Sequence, residues 1–325
     1  MKATQFQKNF FLFFSKKHRT FAQIFQKMEK IEKQRYISPY TDFGFKYIFG
    51  TQLNKEYLIS FLNALFNGRH NIKDITYHNS EHLDETVYSR RAIFDVYCTT
   101  DTGEHIIVEM QNVDQDYFID RMVYYSTFPI REQAKRGNWD FKLSHVYTIG
   151  ILNFDYYKNS DEPHHEAKLI DTATYEIFYD RLTYITIELP KFNKTENELV
   201  TLYDKWLFVL RNMSKLMSKP TALQEKVFTS LFRHAEIDKM KPNMRMQYEK
   251  ALFDFNDINN SNIKCFREGK EEGLAEGREQ GIKKGRKEGA KQEKIAIAKN
   301  LKQLNMPTEQ IQKATGLTAE EIEKL

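Results

Sequence analysis

The clearest alternation of apolar and polar positions lies in FDVYCTTDTGEHIIVEMQN, residues 94–112. Two β-rich runs flank Asp-Thr-Gly, which predicts a hairpin with strands over 91–99 and 105–111. With the turn centred on Thr102, Asp95 falls directly opposite Glu109. Side chains alternate across a strand, so Phe94, Val96, Cys98, Ile106, Val108 and Met110 share one apolar face. Asp95, Tyr97, Glu109 and Gln111 share the other.

The rest of the pattern alternates between helix and strand. SPYTDFGFKYIFGTQLNKEYLISFLNALFNG (38–68) predicts a capped aromatic helix and a second apolar helix closed by Gly68. NIKDITYH (71–78) predicts a strand, and FIDRMVYYSTFPIREQAKRG (118–137) a helix that Pro129 kinks or stops. HVYTIGILNF (145–154) and TYITIELPKF (183–192) are β-rich, and helical periodicity runs from about Glu196 to Leu252. From Cys265 onward, glycine recurs every fourth residue at 269, 273, 277, 281, 285 and 289. In a helix such a stripe advances ~40° per repeat, and each Gly costs ~1 kcal/mol against Ala. Two readings stay open for 264–292: a solvated helical linker, or a homo-oligomeric stalk in which a second copy packs along the stripe. The charged residues between the glycines exclude a membrane dimer. In the final segment, 293–325, Gly316 stops one short helix and Thr318 with Glu321 forms a capping box for the next. This resembles the core of a helix-turn-helix, although so short a piece suits packing or interaction better than DNA reading.

Charge changes the picture more than overall composition does. The net charge of +4 conceals a balance of +7 in residues 1–35, +3 from Lys264 to the end and −6 between them. Contact with nucleic acid must therefore come from a local patch rather than a general polycation. Residues 1–35 are basic and Phe-rich, poor as a signal peptide. They read either as an amphipathic surface helix or as an over-extended start, with Met28 the true one. Cys98 and Cys265 are far apart and suggest no disulfide framework, so a cytoplasmic location is the expectation. No apolar run is long enough to span a membrane, and no membrane partner is expected.

Two carboxylates directly opposed on a hairpin repel each other. A shared proton relieves that, and so does a divalent cation, for which an oxygen donor set suits Mg²⁺ or Mn²⁺. Outward-facing acids are also ordinary on a half-buried hairpin, and a single bulge would change the register.

Asp95, thirteen residues and then Glu-Met-Gln resembles the signature of the PD-(D/E)XK nucleases. The similarity is greatest to the Rpn group of recombination-promoting nucleases and transposases, in which Gln replaces the usual Lys. SPYTDFGFKYIFG (38–50) resembles the group's opening helix, with Asp42 at its acidic position. RMVYY (121–125), Gly137, HVYTIGIL and the glycine-repeat tail follow the same order downstream. The resemblance covers roughly 36–325. It implies an α/β fold, with a PD-(D/E)XK-like core of mixed β-sheet flanked by helices over 36–263 and a charged helical tail. It also implies a Mg²⁺- or Mn²⁺-dependent DNA endonuclease associated with recombination or mobile elements. Asp95 and Glu109 match the metal-binding acids and Gln111 the third catalytic position. Asp42 would be an additional acid reaching the metal directly or through water.

Arg90 and Arg91 precede the hairpin, where they would meet phosphate, neutralise the acids, or simply be solvated. Arg121 and Tyr125 share a helix face at i, i+4, facing either the core or DNA. His164–His165 reads as part of a polar loop and not as a zinc site. No HExxH, Gly-rich phosphate loop or G-x-S-x-G elbow is present. Alternatives to the nuclease are a catalytically inactive DNA-binding module of the same fold, an assembly adaptor that uses its tail, and an unrelated α/β domain.

Overall fold

The computed structural model describes residues 34–78, 81–82, 92–134 and 140–325. The Phe-rich N-terminal extension with Met28, and also Arg90 and Arg91, lie outside the described residues. The chain divides into two compact units, Met1–Asn256 and Asp257–Leu325.

In the first unit the strands are β1 (Ile75–Tyr77), β2 (Glu81–His82), β3 (Ala92–Ile93), β4 (Val96–Thr100), β5 (His105–Gln111), β6 (Val146–Leu152), β7 (His164–Ile170) and β8 (Ile177–Glu188). Six of them form one mixed sheet in the order β1-β4-β5-β6-β8-β7, while β2 and β3 pair separately. The β4–β5 hairpin adopts the predicted register, Val96 opposite Val108 and Cys98 opposite Ile106. Strands β5, β6 and β8 run parallel. Parallel strands covered on both faces lose the alternation of a half-exposed strand, which is why every residue of VYTIGIL in β6 is buried.

Helices α1 (Asp42–Phe49), α2 (Lys55–Phe66), α4 (Leu202–Asn212) and α5 (Lys226–His234) belong to the large core. There Phe45, Phe49, Phe61 and Trp206 meet Val96, Cys98, Ile106 and Val108 from the hairpin. Helix α3 (Phe118–Glu132) covers the other face through two smaller clusters, Phe118–Met122–Leu152 and Phe94–Tyr97–Ile107–Phe128. Close approach of α3 depends on Gly150, where a Cβ would come within 2.8 Å of the Phe118 ring. Helix α1 begins with the Thr41 side chain accepting from the Gly44 amide at 2.9 Å. A Cβ at Gly44 would collide with the Ser38 carbonyl.

Three sequence expectations need correction. Phe94 does not join the Val96 face; the backbone bends at Asp95 before β4 begins, turning Phe94 toward Tyr125 and Phe128 on α3. Pro129 does not stop α3, which continues to Glu132. Proline forfeits a helical hydrogen bond, and burial of Phe118, Met122 and Phe128 against the sheet outweighs that loss. His164 and His165 lie on edge strand β7, aligned with Ile187 and Thr186 of β8, rather than in a loop.

Helix α6 runs from Pro242 to Gln303, and its early residues Tyr248 and Leu252 are buried in the first unit. The glycines at 269 to 289 have no other described part of the chain within 4 Å of an added Cβ. In the second unit, Ala298 packs with Ile311, Leu317 and Ile322 from the region of α7 (Thr308–Thr315) and α8 (Ala319–Glu323). Gly316, at φ +69°, ends α7, and the Thr318–Glu321 capping box starts α8. No described helix is long and apolar enough to cross a membrane.

Candidate functional site

The alternation of β5 sends Met110 into the large core and sends Glu109 and Gln111 toward α3. Asp95 sits one residue before β4, and the register brings it to Glu109. Each acid is held by the backbone beside the other: the Asp95 amide donates to Glu109 Oε1 at 3.0 Å, and the Met110 amide donates to Asp95 Oδ2 at 2.8 Å. This reciprocal latch consumes one oxygen of each carboxylate. Glu109 Oε2 has no hydrogen bond among the described residues, and Asp95 Oδ1 has only Lys46 Nζ, at 4.0 Å.

Both acids are withdrawn from water, Glu109 to 8% exposure. Burial raises the Asp95 carboxyl to about 6, and burial together with the Asp95 charge raises Glu109 to about 8. Ionising both in that setting is costly, since a buried charge needs compensation. Two cations approach from different helices. Lys46 comes from α1, and Arg121 from α3 pulls both acid pKa values back down.

Asp42 stands apart from the hairpin pair. Its side chain is 69% exposed and forms an i, i+4 ion pair with Lys46 at 2.7 Å, which places the ammonium between Asp42 and Asp95. Among the described residues no group of three or more His, Cys, Asp or Glu is arranged to hold a metal. The residues brought together are Asp95 and Glu109. A hard cation fits this donor set: one buried and one half-buried acid, each with an oxygen left over from the latch, and a mutual repulsion that positive charge relieves.

Gln111 is fully engaged, its Nε2 donating to the Val113 carbonyl at 2.7 Å and its Oε1 accepting from Arg121. Arg121 also donates to Gln115 Oε1 at 3.0 Å, and its guanidinium lies 5.6 Å from the Phe118 ring centroid and 6.0 Å from that of Tyr125. Tyr125 in turn packs edge-on against Phe94 at 4.9 Å. Its ring therefore packs in the core and also lies against Arg121.

Lys46 was missed by sequence reasoning. The available signal was its spacing from Asp42, since residues four apart share a helix face. Tyr117 was also passed over: it is 80% exposed, with φ +65°, at the start of α3.

Residues 39–261, more than half of the chain, match the family model described as PD-(D/E)XK nuclease family transposase. No curated protein matches the chain. No solved structure matches it. The fold that brings Asp95, just before β4, to Glu109 on β5 is thus accompanied by a family match over the whole of that sheet, and the chain belongs to the PD-(D/E)XK nuclease family transposases.

Proposed function

We propose that this nuclease-type protein is a divalent-metal-dependent DNA endonuclease, acting in recombination or on mobile elements, with the Asp95–Glu109 pair as its metal site. One observation carries the reading: the latch fixes both acids and still leaves each with an oxygen directed to neither backbone amide. Mg²⁺ or Mn²⁺ held there would polarise the phosphodiester and acidify a bound water.

The chain's own residues supply the remainder. Asp95 Oδ1 and Glu109 Oε2 would hold the metal. Asp42 orients Lys46, whose charge is set beside the acids, where it stabilises negative charge developing on the phosphate. Asp42, with one carboxylate oxygen paired to Lys46, would be an additional acid reaching the metal directly or through water. Gln111 is not a base near neutral pH; it holds Arg121 in place, and Arg121 and Tyr125 meet the DNA strand. Arg91 is assigned the same DNA-contact role on sequence grounds.

The test is cleavage of supercoiled plasmid by purified protein with Mg²⁺ or Mn²⁺, beside Asp95→Ala and Glu109→Ala proteins and an EDTA control. Nicking or linearisation by the wild type alone, abolished by EDTA, is expected. Equal activity in both variants would sink the assignment. The engagement of both polar atoms of Gln111 favours a second reading, a DNA-binding module of the same fold without catalysis. Salt-sensitive binding with no cleavage by any of the proteins would select it.

A further inference from the structure

Separate from the acid pair lies a cavity of about 360 Å³ whose described lining contains Arg211 and Lys215 and no carboxylate. Its other polar groups include Ser38, Asn153, Ser214 and Asn256. Tyr40 and Phe255 form part of the wall, with their rings nearly parallel, 6.3 Å between centroids. Arg211 spends one nitrogen on Asn193 Oδ1 at 3.0 Å, and Lys215 has no hydrogen bond or ion pair among the described residues. In a segment whose acids outnumber its bases by six, a cavity whose charged lining residues are both cations is a local reversal of charge. Such reversals concentrate anions.

Its position ties it to the reaction. Asn153 follows β6 and Pro190 follows β8, so the cavity opens where those parallel strands end, the end of an α/β sheet at which ligands bind. Two hydrogen bonds connect its wall to the end of β5. The Asn153 amide donates to the Gln111 carbonyl at 2.9 Å, and Asn112 Nδ2 donates to the Tyr40 carbonyl at 2.6 Å. Tyr40 is also only two residues before Asp42.

We propose that this cavity is a subsite for a nucleotide flanking the scissile phosphate. Arg211 and Lys215 hold its phosphate, and the amide and hydroxyl groups face its sugar and base. Cations suit phosphate, and the volume is in the range of small-molecule sites. The inference rests on the nuclease reading of the Asp95–Glu109 pair, and it assigns a substrate contact to residues far from that pair in sequence.

Fluorescence anisotropy with a labelled DNA duplex in EDTA, where cleavage is silent, tests it on the full-length protein. The Arg211→Ala/Lys215→Ala protein should bind roughly 10-fold more weakly, with its salt dependence reduced by about one phosphate equivalent. Lys215→Glu, at an exposed side chain with no partner to lose, should weaken binding without perturbing the fold. Plasmid cleavage by the Glu109→Gln protein is read separately: if it persists, the acid-pair reading falls while the binding result stands independently. Deoxyadenosine monophosphate should compete with the duplex better than inorganic phosphate at matched ionic strength. Equal competition by the two would reduce the cavity to a plain anion site and overturn the proposal. So would unchanged affinity and salt slope in the double variant, or no duplex binding by the wild type.

Discussion

At Gly44 and Gly150 one added methyl group would strike the Ser38 backbone or the Phe118 ring, whereas at the six glycines of the α6 stripe it would meet open space. The same residue type answers opposite demands in the two regions. In the nuclease unit, glycine lets elements approach closely enough to set the site: Gly44 seats the turn before α1, which carries Asp42 and Lys46, and Gly150 seats α3, which carries Arg121. Along the α6 stripe, nothing among the described residues requires glycine. There it only lowers helix stability, by ~1 kcal/mol per residue relative to Ala. Glycine thus shapes the site in one region and softens the helix in the other.

The sharpest way to separate the regions is to disable the site alone. Glu109→Gln should reduce plasmid nicking by about 10³-fold or more, equivalent to roughly 4 kcal/mol of barrier. Far-UV circular dichroism, to which the long α6 contributes heavily, should not change. Lys46→Met should slow cleavage by about 10- to 100-fold while duplex affinity in EDTA changes little; a loss confined to binding would break the role assigned to Lys46. Gly150→Ala should destabilise the nuclease unit by about 1–3 kcal/mol through overpacking against Phe118. Denaturant unfolding followed by tryptophan fluorescence reads this, since Trp206 is buried in that unit.

A pH effect follows in the metal-free protein. The folded state holds the Asp95 and Glu109 protons more tightly than the unfolded chain does. Stability from this pair is therefore greatest at acidic pH and is lost as pH rises through the folded pKa values, toward 8. The melting temperature should fall by several degrees between pH 5 and pH 8, and Glu109→Gln should flatten that decline. Added Mg²⁺ should restore stability at the alkaline end, where both acids are ionised and able to bind it. The smallest effect belongs to the tail: replacing the stripe glycines with Ala should raise helix stability by at most ~1 kcal/mol per site. It should leave cleavage unchanged; altered cleavage would show that the softness of α6 matters to the chemistry.

Much of the site was legible because the hairpin is local. Its turn, its β-branched runs and its alternation all lie within nineteen consecutive residues, and they place Asp95 opposite Glu109 without help from the rest of the chain. The capping signals at Thr41, Gly316 and Thr318 are equally local. What escaped depends on contacts distant in sequence. The two-sided burial of β4 and β5 comes from α3 settling on Tyr97 and Ile107. Strand β7, read as a polar loop, is largely exposed at the sheet edge and held by pairing with β8, so it lacks an apolar stripe. The cavity near Arg211 gathers residues from segments separated by more than two hundred positions, and no spacing rule finds it.

The latch between Asp95 and Glu109 also acts as quality control on assembly. Side chains on a strand repeat every two residues, so slipping one strand by a single position exchanges its two faces. Carboxylates would then be pressed among the neighbours of Val96 and Val108, and neither reciprocal amide bond could form. Burying unpaired acids in hydrocarbon is costly enough to expel such a conformer. The two acids thereby disfavour a hairpin out of register.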